Sequence, residues 1–290
     1  MLIIFLLILA VVAISFALHS INKKSINKKS INKSRQKLWI YWENVPGKRR
    51  PAYIDLCIKS VYKHCSKSFD IIQLNEKNIH DYLPELKEKI LDFSKLSIPQ
   101  KVDYYRILLL YKYGGVYMDS DILVLRDPVE ITYHLNEYDF VGFGCTGKTC
   151  KNGYGRPSNW ILCSRANTML MRNILTNYEN KLNNLKNNDD YHAFGKALIW
   201  SELDKLLQSG YSYYHYPNLY DGTRDKDGQW VTMKRLFSNE KIEYDHPDDL
   251  MFIVMYNTGN DLDDKLRYMS ENELLTTNLN IGEYIRHSLK

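Results

Sequence analysis

Residues Lys101–Asp127, KVDYYRILLLYKYGGVYMDSDILVLRD, constrain the fold more than any other part of the chain. A largely apolar helical run, Lys101–Tyr113, carries one acid, Asp103, and one arginine, Arg106, and ends at Gly114-Gly115. Gly114 stands where a left-handed residue closes a helix. Gly115 suits a sharp reversal and a close backbone approach, to the chain itself or to a ligand, and is placed with the donor-binding residues. Short strands at Val116–Met118 and Ile122–Leu125 then flank an acidic turn, Asp119-Ser120-Asp121. A helix that reverses on glycine into a buried strand is a building unit of sheets covered by helices.

The flanking sequence extends this pattern. Leu38–Trp42 (LWIYW) is an aromatic and β-branched run that reads as a buried strand, with Trp39 in the core and Trp42 at its C-terminal end. Ala52–His64 spaces Ile54, Cys57, Ile58, Val61 and Tyr62 as one face of a helix. Phe69–Leu74 reads as a second strand. Further on, Phe140–Phe143, Trp160–Cys163 and Ser212–Tyr216 read as strands. Ala166–Leu182, Ala193–Gln208 and the segment Glu271–Leu289 read as helices, and Asn218–Trp230 as a polar loop. The expected class is α/β, with a mostly parallel, Rossmann-like central sheet flanked by helices and a less regular C-terminal half.

Among the carboxylates, D-x-D occurs three times, at Asp119/Asp121, Asp225/Asp227 and Asp261/Asp263. The last two lie in polar stretches where turns and helix caps use aspartate routinely. Asp119 and Asp121 instead sit between apolar strands, where an unpaired charge is costly to bury. Two residues apart on extended chain they project to the same side, so two hard oxygen donors converge on a point suited to Mn²⁺ or Mg²⁺. A calcium EF-hand loop is excluded, because Leu123 and Val124 occupy places that need a ligand and a glycine. Asp103 and Arg106 are three apart and share a helix face. A buried pair of this kind stabilises no better than apolar residues in many proteins, which favours ligand binding over a plain internal salt bridge.

The N-terminus is of a different kind. Leu2–Leu18 is an uncharged run of 17 residues, about 26 Å as a helix, at the short end of a bilayer span. It lacks the basic n-region of a cleaved signal peptide, so residues 1–19 are read as an uncleaved membrane anchor. A pentad repeat, SINKK-SINKK-SINKS, follows within residues 20–37, a basic low-complexity stem. Residues 38–290 form the folded domain. This predicts a single-pass membrane protein, and the basic flank behind the anchor points to the cytoplasmic side. Net charge is +5, but residues 1–37 hold seven basic side chains and no acid, which leaves the remainder at −2. A nucleic-acid partner is therefore not expected. Five cysteines without CxxC spacing define neither a disulfide framework nor a zinc site, although Cys145 and Cys150 could close a small loop.

The pattern I-x-x-K-x-D-x-x-R-x-x-x-L-x-x-x-G-G-V-Y-x-D-x-D, from Ile98 to Asp121, resembles the central signature of DXD-motif glycosyltransferases. These include the family 32 transferases, the capsular polysaccharide synthesis proteins and, more distantly, the clostridial glucosylating toxins. The opening KLWIYWENVP and the closing SENELLTTNLNIGEYIRHSLK are similar to the capsular group. The resemblance implies a GT-A fold, a nucleotide-sugar donor (UDP- or GDP-sugar), a divalent metal and retention of anomeric configuration. It also implies a glycan, glycolipid or protein acceptor. Asp119 would contact the ribose and the metal shell, and Asp121 would ligate the metal. Asp103 and Arg106 would hold the donor sugar, and Trp42 would stack on the base. Relatives supply a further metal ligand or phosphate donor late in the chain, for which His246, Asp245 and Trp230 are the candidates. Golgi transferases of similar layout face the lumen, so both membrane orientations stay open. Two alternatives remain at this stage, a sugar-phosphate or nucleotidyl transferase and a non-catalytic membrane-tethered module that binds glycans or nucleotides.

Overall fold

The computed structural model describes residues 35–88, 93–145, 156–184, 194–217, 220–257 and 262–290. Gln36–Lys290 form one compact unit. Strands β1 (Gln36–Tyr41) and β2 (Phe69–Leu74) are joined by helix α1 (Ala52–Cys65). Helix α2 (Ile98–Tyr113) leads into β3 (Gly115–Met118), and β4 (Ile122–Val124) lies beyond the acidic turn. Then come β5 (Phe140–Cys145), β6 (Arg156–Ser164), α3 (Met169–Asn183), α4 (Lys196–Gln208) and β7 (Tyr214–Pro217). The chain closes with β8 (Phe252–Val254), α5 (Glu271–Thr276) and α6 (Asn280–Leu289).

Six strands form one sheet in the order β2-β1-β3-β6-β5-β7. The β2-β1-β3 half and the β5-β7 pair are parallel, while β6 runs antiparallel to both of its neighbours. The α/β class and mostly parallel sheet expected from the sequence are thus observed. The strand period of two distributes the core. Leu38, Ile40, Val116, Met118, Ile161 and Cys163 face one layer, formed with α1, α5, α6 and the β4–β8 ribbon. Trp39, Tyr41, Tyr117 and Leu162 face the other, formed with α2, α3 and α4. Each face buries its own apolar set, so strand register is fixed on both sides.

Helix α2 starts three residues earlier than the sequence spacing indicates. Gln100 accepts the Ser97 main-chain N–H at 3.0 Å, and Pro99 sits in the first turn, where a missing N–H costs nothing. At the other end Gly114 has a positive φ, as expected, but with ψ −164 it is not left-handed helical. It occupies a region essentially closed to other residues, and its carbonyl accepts Trp39 Nε1 at 2.9 Å. Gly115 is needed for packing rather than for a ligand. At φ +98, a Cβ there would stand 2.2 Å from the Lys37 carbonyl oxygen across the β1–β3 pair. It lies at the opposite end of β3 from Asp119, which corrects its assignment to the ligand site.

The β4–β8 ribbon was not anticipated, although Leu250–Met255 is an uninterrupted apolar run. Its pairing of Ile122 with Val254 and Val124 with Phe252 carries the chain back to the acidic turn. Gln36 and Lys37, assigned to the stem by sequence, are the first residues of β1, opposite Phe69 and Asp70. The single-pass membrane expectation is also corrected. No helix among the described residues is long and apolar enough to cross a membrane. The Leu2–Leu18 run and the repeat that follows lie outside the described residues, so the anchor has no structural support. Cys150, the partner expected for Cys145, lies outside them as well; Cys57, Cys65 and Cys163 are buried free thiols.

Candidate functional site

The C-terminal ends of β1 and β3, the start of β6, the first turns of α2 and α4, and the end of β8 surround one cavity of about 600 Å³. This is the edge of an α/β sheet at which ligands generally bind. Asp103, Arg106, Asp119, Asp121 and Trp42 all line it, so the central sequence-derived set is brought together.

Arg106 is the hub. Its Nη2 lies 2.9 Å from Asp119 Oδ1 and 3.3 Å from Asp103 Oδ1, and its Nη1 donates to the Asn159 carbonyl. The guanidinium also rests 4.9 Å from the centroid of the buried Tyr117 ring. Asn159 closes the circuit by donating from Nδ2 to Asp103 Oδ1 at 3.0 Å. Asn159 gives no signal of its own in the sequence. It reaches Asp103 because β6 runs antiparallel beside β3, where the Asp119 N–H meets the Trp160 carbonyl at 2.9 Å.

The acidic turn is pinned from three sides. The Ser120 hydroxyl donates to the Tyr41 carbonyl at the end of β1. Asp121 Oδ2 accepts the Asn257 main-chain N–H at 2.7 Å, and its carbonyl accepts the Met255 N–H at 3.0 Å. Asn257 is fixed in turn by the Tyr53 hydroxyl on its side-chain oxygen and by Arg267 on its carbonyl, at 2.5 and 2.7 Å. With Ser120 turned into the fold, the two flanking acids both face the cavity, as spacing by two requires.

The electrostatics leave this cluster short of positive charge. Burial pushes the Asp119 carboxyl up to about 7, against the pull of Arg106, with Asp121 and Asp103 adding to the rise. Burial also raises Asp121, which the Asn257 N–H only partly offsets. Among the described residues no cationic side chain pairs with Asp121. A divalent cation fits this donor set, because two desolvated carboxylates need a counter-charge and offer hard oxygens. No group of three or more His, Cys, Asp or Glu side chains able to hold a metal occurs among the described residues. A cation held here would therefore complete its shell from water or substrate oxygens.

The late-chain candidates separate. Trp230 lines the cavity; His246 and Asp245 do not. Both are exposed beside the turn Pro247–Asp249, which enters β8 at its Phe252 end. The site lies at the other end of that strand, beyond Val254, so His246 is corrected from the metal set. The described aspartates of the other two D-x-D pairs serve turns and caps. Asp225 accepts the N–H groups of Asp227 and Gln229, and Asp263 caps a short helix at 264–267. Asn159, Asn257 and Gly195 in the cavity wall carry no such sequence signal. At Gly195 an added Cβ would meet Asp103 Oδ2 at 2.7 Å and Asn159 Nδ2 at 2.6 Å.

A family model for capsular polysaccharide synthesis proteins matches residues 14–220, which include Trp42, Asp103, Arg106, Asp119, Asp121 and Asn159. The chain belongs to that family. An uncharacterized glycosyltransferase of Acanthamoeba polyphaga mimivirus is 26% identical over 166 residues, 56% of this chain. The match spans 62% of that relative's length. Among solved structures, the PaToxG glycosyltransferase aligns with TM-score 0.44 and 13% identity, over 67% of this chain and 78% of that one. The apo-form glycosyltransferase GlyE of Streptococcus pneumoniae aligns with TM-score 0.45 and 13% identity, over 89% and 61%.

Proposed function

We propose that this chain is a glycosyltransferase of GT-A type that moves a hexosyl group from a UDP- or GDP-sugar to a hydroxyl of a glycan, glycolipid or protein acceptor. One observation carries the reading. In a member of the capsular polysaccharide synthesis family, Asp103, Asp119 and Asp121 converge with one guanidinium, Arg106, on a cavity of a size that holds small molecules.

Each residue has a part derived from its surroundings. Trp42 lies one residue past β1 in the cavity wall, its Nε1 bonded to Asn44 Oδ1 at 2.9 Å and the Arg50 guanidinium 5.5 Å from its ring. It offers a held aromatic face to the nucleoside base. Asp103 accepts from sugar hydroxyls in a geometry set by Arg106, Asn159 and Gly195. Arg106 holds Asp103 and Asp119 in place and puts fixed positive charge beside the departing phosphate. Lys48 and Lys196 add charge to the same cavity.

Asp119 and Asp121 are the residues that would hold Mn²⁺ or Mg²⁺, which in such sites supplies Lewis-acid stabilisation of a leaving diphosphate. The four carboxylates lining the cavity are all engaged. Arg106 takes Asp103 and Asp119, the Asn257 N–H takes Asp121, and the Tyr41 hydroxyl takes Glu43 at 2.9 Å. With Asp103 given to the sugar and Asp119 and Asp121 to the cation, no carboxylate among the described residues is assigned as the nucleophile of a double displacement. The working mechanism is therefore attack from the same face, with the acceptor proton passing to the departing phosphate and anomeric configuration retained.

The test is a donor panel of UDP-glucose, UDP-galactose, UDP-N-acetylglucosamine and GDP-mannose with Mn²⁺, read as released UDP or GDP. Metal-dependent release from one donor supports the proposal. No release from any donor contradicts it, and phosphate retained in the product by mass spectrometry would favour sugar-phosphate transfer instead.

A further inference from the structure

Beyond the acids, the cavity wall changes character. Trp160, Trp230 and Tyr256 form an aromatic triangle, with ring centroids 6.4 Å (Trp160–Trp230), 5.6 Å (Trp160–Tyr256) and 5.3 Å (Trp230–Tyr256) apart, and all three line the cavity. The triangle adjoins the charged cluster on two sides. Trp160 follows Asn159, which holds Asp103, and Tyr256 precedes Asn257, which holds Asp121.

Trp230 is the outer member. It is 43% exposed, and of the large apolar side chains left exposed among the described residues only it and Val45 line the cavity. Apolar burial does not explain a tryptophan at such a position. Its orientation is nevertheless fixed. The Arg224 guanidinium lies 4.1 Å from the ring centroid, covering one face, while Tyr256 meets the ring edge-on at 81°. The backbone beneath is a braced hairpin. Arg224 pairs with Trp230 across an antiparallel bridge, the Val231 N–H donates to the Thr223 carbonyl at 3.0 Å, and Asp225 is tied to Arg235 at 2.8 Å. A flat ring backed by a cation on one side, 43% exposed and held in the wall of a cavity, is a ready-made surface.

The chemistry of that surface selects its ligand. An aromatic face is electron-rich, and a tryptophan carries the largest such area. A pyranose ring presents a complementary face of weakly positive C–H bonds while its hydroxyls stay in water, as an exposed rim demands. The base has its own platform in Trp42, and the donor sugar has Asp103, Arg106 and Asn159. The remaining sugar in a transfer is the acceptor, which must enter from solvent and be followed by the rest of its chain. Resting on the glycosyltransferase reading above, we propose that the acceptor is a carbohydrate, and that a pyranose unit of it stacks on the exposed part of the Trp230 ring with Trp160 and Tyr256 forming the inner wall of this acceptor subsite.

The experiment uses the full chain labelled with 5-fluorotryptophan, whose five resonances are assigned by single Trp→Phe variants. Spectra are recorded with UDP or GDP and diamagnetic Mg²⁺, then titrated with methyl gluco-, galacto-, manno- and N-acetylglucosamino-pyranosides and their trisaccharides. At least one pyranoside should shift the Trp230 resonance saturably. W230A should weaken that binding at least tenfold, whereas W230F should stay within a few-fold of wild type. Thermal melts of both variants check that they remain folded. Nucleotide alone should move Trp42 and leave Trp230 in place. A Trp230 resonance that follows the nucleotide and ignores every sugar makes the ring a donor contact and overturns the proposal. So does the absence of any pyranoside response, whatever the nucleotide does. If sugars shift Trp230 while no nucleotide shifts Trp42, the subsite stands and the transferase reading fails.

Discussion

Arg106→Met is the perturbation whose consequences are most fully fixed by the structure. The guanidinium is 5% exposed and holds two carboxylates at 2.9 and 3.3 Å. Methionine is of similar length and keeps the packing against Tyr117 while removing the charge. Breaking a buried pair by deleting one partner costs about 3–5 kcal/mol, because the other charge is left behind. For a domain of this size that corresponds to roughly 6–20 °C in melting temperature.

The loss depends on pH with a definite sign. Asp119 is raised in the folded protein to about 7, above its unfolded value of about 3.9. The folded state therefore binds more protons between pH 4 and 7, and stability falls as pH rises through that window. Arg106 is the chief influence opposing the rise, so its removal drives the carboxyl higher and widens the window. Scanning calorimetry of wild type and R106M without metal should show a smaller loss near pH 5, where Asp119 is protonated and Asp103 alone loses a charged partner, and the full loss at pH 8. Mn²⁺ should restore part of the loss at pH 8 by binding only the folded state, about 2.7 kcal/mol at a hundredfold excess over its dissociation constant. A melting difference under about 2 °C at pH 8, below 1 kcal/mol by the same scaling, would refute the reasoning. An equal loss at both pH values would refute it too.

Two further perturbations address the donor. Gly195→Ala puts a methyl group 2.7 Å from Asp103 Oδ2 and should raise the donor KM about tenfold, the equivalent of about 1.4 kcal/mol; an unchanged KM would remove Asp103 from sugar recognition. Trp42→Ala should weaken UDP or GDP binding, followed by calorimetry with Mn²⁺, by about 5- to 150-fold, since a stacked base is worth about 1–3 kcal/mol. Unaltered affinity would place the base elsewhere.

The sequence was most readable where local patterns repeat. The periodicity of α1, the run LWIYW and the double glycine located β1, α1, α2 and β3 to within a few residues, because these elements are buried on a fixed face or end at residues with unique backbone freedom. Asp103, Arg106, Asp119 and Asp121 stood out for the same reason, as charges among apolar neighbours. Gly115 was misread because one glycine signal serves both close ligand approach and close strand packing; only the Lys37 carbonyl 2.2 Å from a built Cβ decides between them. Asn159, Gly195 and Asn257 were invisible because their parts exist only across long sequence separations, 56 residues for Asn159–Asp103 and 136 for Asn257–Asp121. The apolar run Leu250–Met255 was the one available signal for Asn257, since a strand there had to return to the sheet edge. His246 was selected by residue type alone, and type does not say which end of β8 a side chain occupies.

The most direct measurement is Mn²⁺ electron paramagnetic resonance of wild type and Asp121→Asn in the presence of UDP and of GDP. The substitution preserves size and leaves an oxygen to accept the Asn257 N–H, so the fold should persist while the second hard anionic donor is lost. Wild type should bind one Mn²⁺ per chain in a nucleotide-dependent manner, and D121N should leave the ion free in solution. Equal Mn²⁺ binding by both proteins would contradict the acidic turn as the seat of the cation.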